Sequence, residues 1–221
     1  MQDLEQEYER QREYLIDQII RDRAVSDARV IAAMLKVPRH EFVPAEFRQY
    51  AYENRPLPIG ERQTISQPTM VAIMTQALDA GPDHIVLEVG AGSGYQAAVL
   101  AKLCLKVYTL ERHPALAATA RENLSRLGYA NAEVIAADGS GGYPEHAPYD
   151  RILVSAGSPR VPDALVDQLA PAGKLVIPVG DFSYQSLTLV EKGAGGVTRR
   201  EIAGCVFVPL IGEYGWPREE A

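Results

Sequence analysis

An α/β fold, Rossmann-like and doubly wound about a mostly parallel sheet, with an N-terminal helical extension and a C-terminal antiparallel hairpin, is predicted by three observations. From Ile85 onward, apolar runs of strand length alternate with amphipathic stretches of helix length, as a parallel sheet with crossover helices requires. The first run, Ile85-Val86-Leu87-Glu88-Val89, is nearly continuously apolar, as in a strand covered on both faces, and breaks at once into Gly90-Ala91-Gly92-Ser93-Gly94. Beyond residue 179 the pattern becomes two strand-like runs about a turn containing Gly193, Gly195 and Gly196.

Each element follows from local chemistry. Residues 1–23 place Leu4, Tyr8, Leu15, Ile19 and Ile20 at roughly helical spacing among charges, which predicts a docking helix. Ser26 is the expected N-cap of a second helix through Val30, Ile31, Met34 and Leu35, which Pro38 ends near Val37. Residues 39–67 contain Pro44, Pro56 and Pro58 and little periodicity, so they read as irregular chain laid over the rest; long ordered loops of that kind usually carry function. A helical pattern resumes over 70–78. Strands are expected at 85–89, 106–110, 132–136, 151–155 and 174–179, and helices between them at 95–102, 115–127 and 162–169. The closing hairpin pairs 186–191 with 198–207. Residues 1–80 are thus read as N-terminal helices and a covering segment, and residues 81–221 as the core, in one compact unit.

Composition narrows the function. The 221 residues are 47% hydrophobic and 23% charged, enough for one sizeable core, and the formal net charge of −7 argues against nucleic acid as the main partner. No apolar run reaches membrane-spanning length, and residues 1–12 lack the apolar stretch of a signal peptide, so no membrane is expected and the chain reads as cytoplasmic and monomeric. Cys104 and Cys205 read as ordinary reduced side chains. His40, His84, His113 and His146 show no ligand-like spacing; they read as surface or structural residues, and no metal is expected.

The chemistry is concentrated where strands end. Glycines between a strand and a helix allow φ > 0 and close approach of a ligand. The loop reads G-x-G-x-G, and a dinucleotide fingerprint would require glycine at Tyr95. The next strand ends in Glu111, about twenty residues past the first glycine, where an acid can accept from both ribose hydroxyls. The third ends in Asp138-Gly139, where a carboxylate can accept from an adenine amino group. Each has a plainer reading: Glu88 as an acceptor for loop amides, Glu111 as a charge at the N-terminus of the helix at Pro114, and Asp138-Gly139 as a simple turn. Together they point to an adenosyl ligand held by Glu88, Gly90, Ala91, Gly92, Ser93, Gly94, Glu111, Asp138 and Gly139. A cationic sulfonium without a pyrophosphate suits this acidic setting, so the ligand is read as S-adenosyl-L-methionine, with S-adenosyl-L-homocysteine as product.

Leu57-Pro58-Ile59-Gly60, then Gln63-Thr64-Ile65-Ser66-Gln67-Pro68, then the stretch VLEVGAGSGYQ from Val86 to Gln96, resemble the protein-L-isoaspartate O-methyltransferases. Pro38-Arg39-His40-Glu41-Phe42-Val43-Pro44, Tyr108 to Arg112, Asp138-Gly139, Ala147-Pro148-Tyr149-Asp150, Pro178-Val179-Gly180 and Phe207-Val208-Pro209-Leu210 follow in family order, so the resemblance covers residues 25–216. It implies methylation of isoaspartyl residues in proteins and peptides, with Ser66 as the active-site residue. It also implies cofactor contacts at Arg112 and Ser155, and peptide contacts at Ile59, Gly60, Thr64, Ile65, Gln67, Val208 and Pro209. The chemistry is consistent: a β-carboxyl with a pKa near ~3.9 is ionised at neutral pH and needs no general base, only orientation and desolvation. Ser66 has a plainer reading as the N-cap of the helix after Pro68.

The chain departs from the family pattern at several places. Ala91 stands where threonine is usual, Ala137-Asp138-Gly139 replaces G-D-G, and Ser155-Ala156-Gly157 replaces T-A-A. The one change of chemistry is Val206, where an arginine commonly precedes Phe-Val-Pro. A small-molecule carboxylate or hydroxyl remains an alternative acceptor, and a non-catalytic binding module a third reading. An amine-methylating nucleic-acid enzyme would place Asn/Asp-Pro-Pro-aromatic where this chain has Ser155-Ala156-Gly157-Ser158-Pro159.

Overall fold

The computed structural model describes residues 2–217. Helix α1 (Gln2–Arg21) buries Tyr8, Leu15, Ile16 and Ile19, while Leu4 and Ile20, expected on that face, are exposed. Helix α2 (Ala28–Lys36) starts one residue later than expected. Asp27, not Ser26, is its N-cap and accepts from the Arg29 amide at 2.8 Å. The Ser26 amide instead donates to Gln76 Oε1 at 2.7 Å.

The covering segment has more regular structure than its prolines suggested. Two 3₁₀ turns, Arg39–Phe42 and Ala45–Tyr50, lead into strands β1 (Leu57–Gly60) and β2 (Gln63–Ile65), an antiparallel hairpin pairing Leu57 with Ile65 and Pro58 with Thr64. Its tip, Glu61-Arg62, has φ of +50° and +57°, the backbone of a tight two-residue hairpin. Strands of three and four residues on an isolated two-stranded sheet leave no period-two signal, and Pro58 is tolerated because neither strand is central.

Helix α3 (Pro68–Leu78) leads to the main sheet: β3 (Ile85–Val89), α4 (Tyr95–Ala101), β4 (Lys106–Glu111), α5 (Pro114–Arg126), β5 (Ala132–Ala136), β6 (Tyr149–Val154), α6 (Asp163–Asp167), β7 (Leu169–Gly180), β8 (Gln185–Gly193) and β9 (Gly196–Cys205). The order is β5-β4-β3-β6-β7-β8-β9, parallel as far as β7 and antiparallel beyond. Strand β7 begins five residues before its expected start and shortens α6. The sequence Ala170-Pro171-Ala172-Gly173 reads as a turn, but it forms a bulge in which Ala172 takes φ +62° between the pairs Tyr149–Leu169 and Arg151–Lys174.

Alternation along the strands divides the core in two. Val86, Val107, Leu153, Val176 and Leu187 pack with α1 to α5 on one face; Leu87, Val89, Leu110, Ile152, Leu175 and Ile177 pack with Leu165 of α6 and Leu210 on the other. The N-terminal helices therefore share one hydrophobic cluster with the sheet. No helix among the described residues is long and apolar enough to cross a membrane.

The strand-to-helix turn depends on Gly94, which caps α4 at φ +92°, with Leu124 Cγ 3.3 Å from where a Cβ would stand. Gly94→Ala is expected to cost about 1–3 kcal/mol through backbone strain and overpacking. The midpoint of urea unfolding should fall while the slope of the transition is unchanged.

Candidate active site

Strands β4, β3 and β6 lie in register, with Val89 between Leu110 and Val154, so their carboxyl ends open on one edge where the strand order reverses. The glycine loop crosses this edge and is pinned to β4. The Gly90 and Ala91 amides donate to the Leu110 carbonyl at 2.8 and 3.0 Å. The Gly92 amide donates to Glu111 Oε2 at 2.9 Å, and Glu111 Oε1 accepts from the His113 amide at 2.9 Å. Gly92 is also covered: a Cβ there would stand 3.1 Å from Ile59 Cδ1, so the β1–β2 hairpin rests on the loop.

Between loop and hairpin lies an open cleft of about 880 Å³, the open space at its mouth included. Gly90, Ala91, Gly92, Ser93, Glu111, Arg112, Gly139 and Ser155 line it from the sheet edge. Thr64, Ile65 and Ser66 line it from the covering hairpin, and Val208 and Pro209 from the C-terminal segment. Ser66 is half-buried, and Gln67 rather than Ser66 occupies the N-cap position of α3, without a side-chain cap bond, so the plainer reading of Ser66 as a cap is set aside.

Six expected site residues do not line the cleft. Gly94 lies at the start of α4, Ile59 and Gly60 belong to β1 with Ile59 resting on Gly92, and Gln67 stands at the N-cap of α3. Asp138 stands beside the cleft, its Oδ1 accepting from the Ser140 amide at 2.9 Å and its Oδ2 from the Glu213 amide at 3.1 Å. Its carboxylate joins the C-terminal segment to the end of β5, and Gly139 rather than Asp138 borders the cavity. Glu88 is fully buried within the sheet; Thr109 Oγ1 donates to its Oε2 at 2.5 Å, while Oε1 has no partner among the described residues. Burial pushes its pKa up to about 8, against the Thr109 hydrogen bond, with the nearby Glu111 carboxylate adding to the rise.

The cleft is also lined by residues beyond the expected site set: Gln63, Val71, Tyr95, Gln96, Leu110, His113, Ala156, Leu210 and Ile211. His113, read as surface or structural, follows Glu111 by two positions, and that spacing was the available signal. Its Nδ1 lies 3.7 Å from Glu61 Oε2 at the hairpin tip, a contact that becomes an ion pair when the ring is protonated. The other histidines are structural: His40 stacks on Tyr8 at 4.1 Å, His146 stacks on Tyr108 at 4.2 Å, and His84 Nδ1 accepts from the Gly81 amide at 2.9 Å.

The family profile described as "Protein-L-isoaspartate(D-aspartate) O-methyltransferase (PCMT)" matches residues 10–215. The chain belongs to this family. Protein-L-isoaspartate O-methyltransferases of Methanopyrus kandleri and Methanoculleus marisnigri are 55% and 52% identical to it, over 97% and 95% of this chain and 97% and 96% of their own. A solved structure titled protein-L-isoaspartate O-methyltransferase superposes with a TM-score of 0.83 at 30% identity, over 92% of this chain and 67% of its own. A structure from Plasmodium falciparum, described as a putative member of the family in complex with S-adenosyl-L-homocysteine, superposes with a TM-score of 0.78 at 27% identity, over 89% of this chain and 96% of its own. The chain therefore has the fold of the family over most of its length.

The buried Glu88 predicts a pH signature. An unfolded glutamate titrates near 4.5, whereas Glu88 in the fold titrates at about 8, so across that interval the folded chain holds a proton that the unfolded chain lacks. Its contribution to stability is complete below the lower value and is lost as pH rises toward the upper one. Glu88→Gln, which cannot ionise, should gain in Tm relative to the parent as pH is raised through this window in thermal scans.

Proposed function

We propose that this chain transfers the methyl group of S-adenosyl-L-methionine to the free carboxylate of L-isoaspartyl residues in damaged proteins and peptides, starting their repair through a succinimide. The observation that carries the reading is that Thr64, Ile65 and Ser66 face into the same cleft as the glycine loop and Glu111. The donor set fits an adenosyl cation. Glu111 presents a carboxylate at the cleft with both oxygens already oriented by main-chain amides, and lone pairs remain to accept from ribose hydroxyls. Gly92 and Gly139 border the cleft with bare backbone, and each is packed too closely for a side chain: a Cβ would stand 3.1 Å from Ile59 Cδ1 at Gly92 and 2.6 Å from Val89 Cγ1 at Gly139.

When bound, S-adenosyl-L-methionine supplies an electrophilic methyl group on a positively charged sulfur. Glu111 holds the ribose, and Gly90 to Ser93, Arg112, Gly139 and Ser155 border the rest of the ligand. The Ser66 hydroxyl donates to one oxygen of the acceptor carboxylate and so aims the other. That carboxylate is already ionised well above ~3.9, so no side chain is needed as general base. Thr64, Ile65, Val208 and Pro209 enclose the peptide, while Ile59, Gly60 and Gln67 hold the hairpin in place. Orientation and exclusion of water are the enzyme's main contributions, of up to roughly 7–11 kcal/mol in favourable cases. The reading includes a cytoplasmic monomer acting on isoaspartyl polypeptides; free thiols at Cys104 and Cys205 suit a reducing compartment.

Glu111→Ala is expected to weaken S-adenosyl-L-homocysteine binding tenfold or more in a calorimetric titration, roughly the loss of one charge-assisted hydrogen bond. Unchanged affinity would remove the ribose assignment. With methyl-labelled cofactor and matched peptides, base-labile label should appear on the isoaspartyl peptide and not on its aspartyl twin. Equal labelling of both, or of neither, defeats the reading. Ser66→Ala should lower kcat far more than it lowers cofactor affinity.

A further inference from the structure

The C-terminal rim of the cleft carries an apolar surface that the methyl-transfer chemistry does not use. Phe182, Tyr184 and Val206 are 46%, 62% and 67% exposed, and the Phe182 ring lies on Trp216 with centroids 4.2 Å apart. These groups are held rigidly. Asp181 Oδ1 accepts from the Ser183 amide and hydroxyl, both at 2.7 Å, and from the Tyr184 amide at 2.8 Å, so a closed turn presents both rings outward. Tyr184 packs across Gly204, where a Cβ would stand 3.2 Å from its ring. The Trp216 indole donates to the Gly157 carbonyl at 3.1 Å.

The Trp216 end of the surface adjoins the cleft. The Gly157 carbonyl that receives the indole also accepts from the Leu210 amide, and the Gly157 amide donates to the Val208 carbonyl, each at 2.8 Å. Ala156, Val208 and Leu210 line the cleft itself, so Trp216 and Phe182 begin where the cleft wall ends. Rigid exposed aromatics lose little entropy on binding, and contiguous apolar surface beside a site marks a contact for a partner.

Resting on the function proposed above, we infer that the Phe182–Tyr184–Val206 surface, backed by Trp216, docks the polypeptide flanking the isoaspartyl residue and selects substrates with a large apolar or aromatic side chain there. A polypeptide is the occupant because the cleft accepts one residue of a chain whose neighbours must leave over its rim. An apolar neighbour is favoured because the rim offers rings and a valine.

The test compares kcat/KM for isoaspartyl peptides of one length, in which each flanking position in turn carries Phe, Gly or Glu, using the parent chain and the Phe182→Ser and Tyr184→Ser variants. For at least one flanking position, the parent should prefer Phe over Gly by about tenfold, expressed in KM. Both variants, altered at exposed positions, should erase that preference while leaving kcat, S-adenosyl-L-homocysteine affinity and rates on the Gly peptides unchanged. Equal rates on Phe, Gly and Glu peptides, or a preference that survives both variants, overturns the docking surface and leaves the proposed methylation standing. A parent-chain dimer in sedimentation equilibrium that is abolished by Phe182→Ser also overturns it, because the surface then belongs to a second copy. Methylation of none of the peptides refutes the proposed function and the docking surface with it.

Discussion

The site is organised around one carboxylate. Glu111, almost fully buried at the end of its strand, accepts from the Gly92 amide with one oxygen and from the His113 amide with the other. Hydrogen bonds to an ionised acceptor are short and strong, and here they join two stretches of backbone on adjacent strands. The Gly90 and Ala91 amides reinforce the joint on the Leu110 carbonyl. With the loop fixed in this way, Gly92 offers a flat surface on which Ile59 rests, and Ile59 brings the hairpin that carries Ser66 over the cleft. A shift of the Glu111 carboxylate would therefore move donors, loop and cover together.

The three acids that end successive strands have been given different tasks by their surroundings. Glu88, two positions before the loop, has no solvent and a single hydroxyl partner, so it keeps its proton at neutral pH. Asp138 has its oxygens committed to the Ser140 and Glu213 amides and secures the C-terminal segment, which returns Val208 and Pro209 to the cleft wall. Only Glu111 presents its charge to the cavity. The same C-terminal segment, through Gly157, also supports Trp216 and the aromatic rim. The cleft and its approach are thus built from the same few backbone contacts.

Most of the fold was legible because strands and crossover helices leave periodic signals. The expected strands at 85–89 and 132–136 have those same bounds in the structure, and the others differ mainly at their ends. The misreadings occurred where local pattern is weak or misleading. The β1–β2 hairpin is too short to alternate, the bulge at Ala172 imitates a turn, and Gln76 takes the amides of both Ser26 and Asp27 from about fifty residues away while the Asp27 carboxylate caps α2. In the site, the glycine loop, Glu111 and the Thr64-Ile65-Ser66 segment were found from spacing and family resemblance. Tyr95 and Gln96 end the VLEVGAGSGYQ stretch, but their place on the cleft wall, like that of His113, depends on how the helices that follow pack against the hairpin.

The strand–glycine–helix unit, the acids at one sheet edge and the segment that covers them are all legible along the chain, because turn chemistry and periodicity are local properties. Which acid keeps a proton, which one faces the cleft, and which exposed rings border it were decided only by tertiary structure. Those outcomes depend on burial and on partners such as Thr109, Glu213 and Gly157, which lie far from Glu88, Asp138 and Trp216 along the chain and meet them only when the sheet and its C-terminal segment have closed.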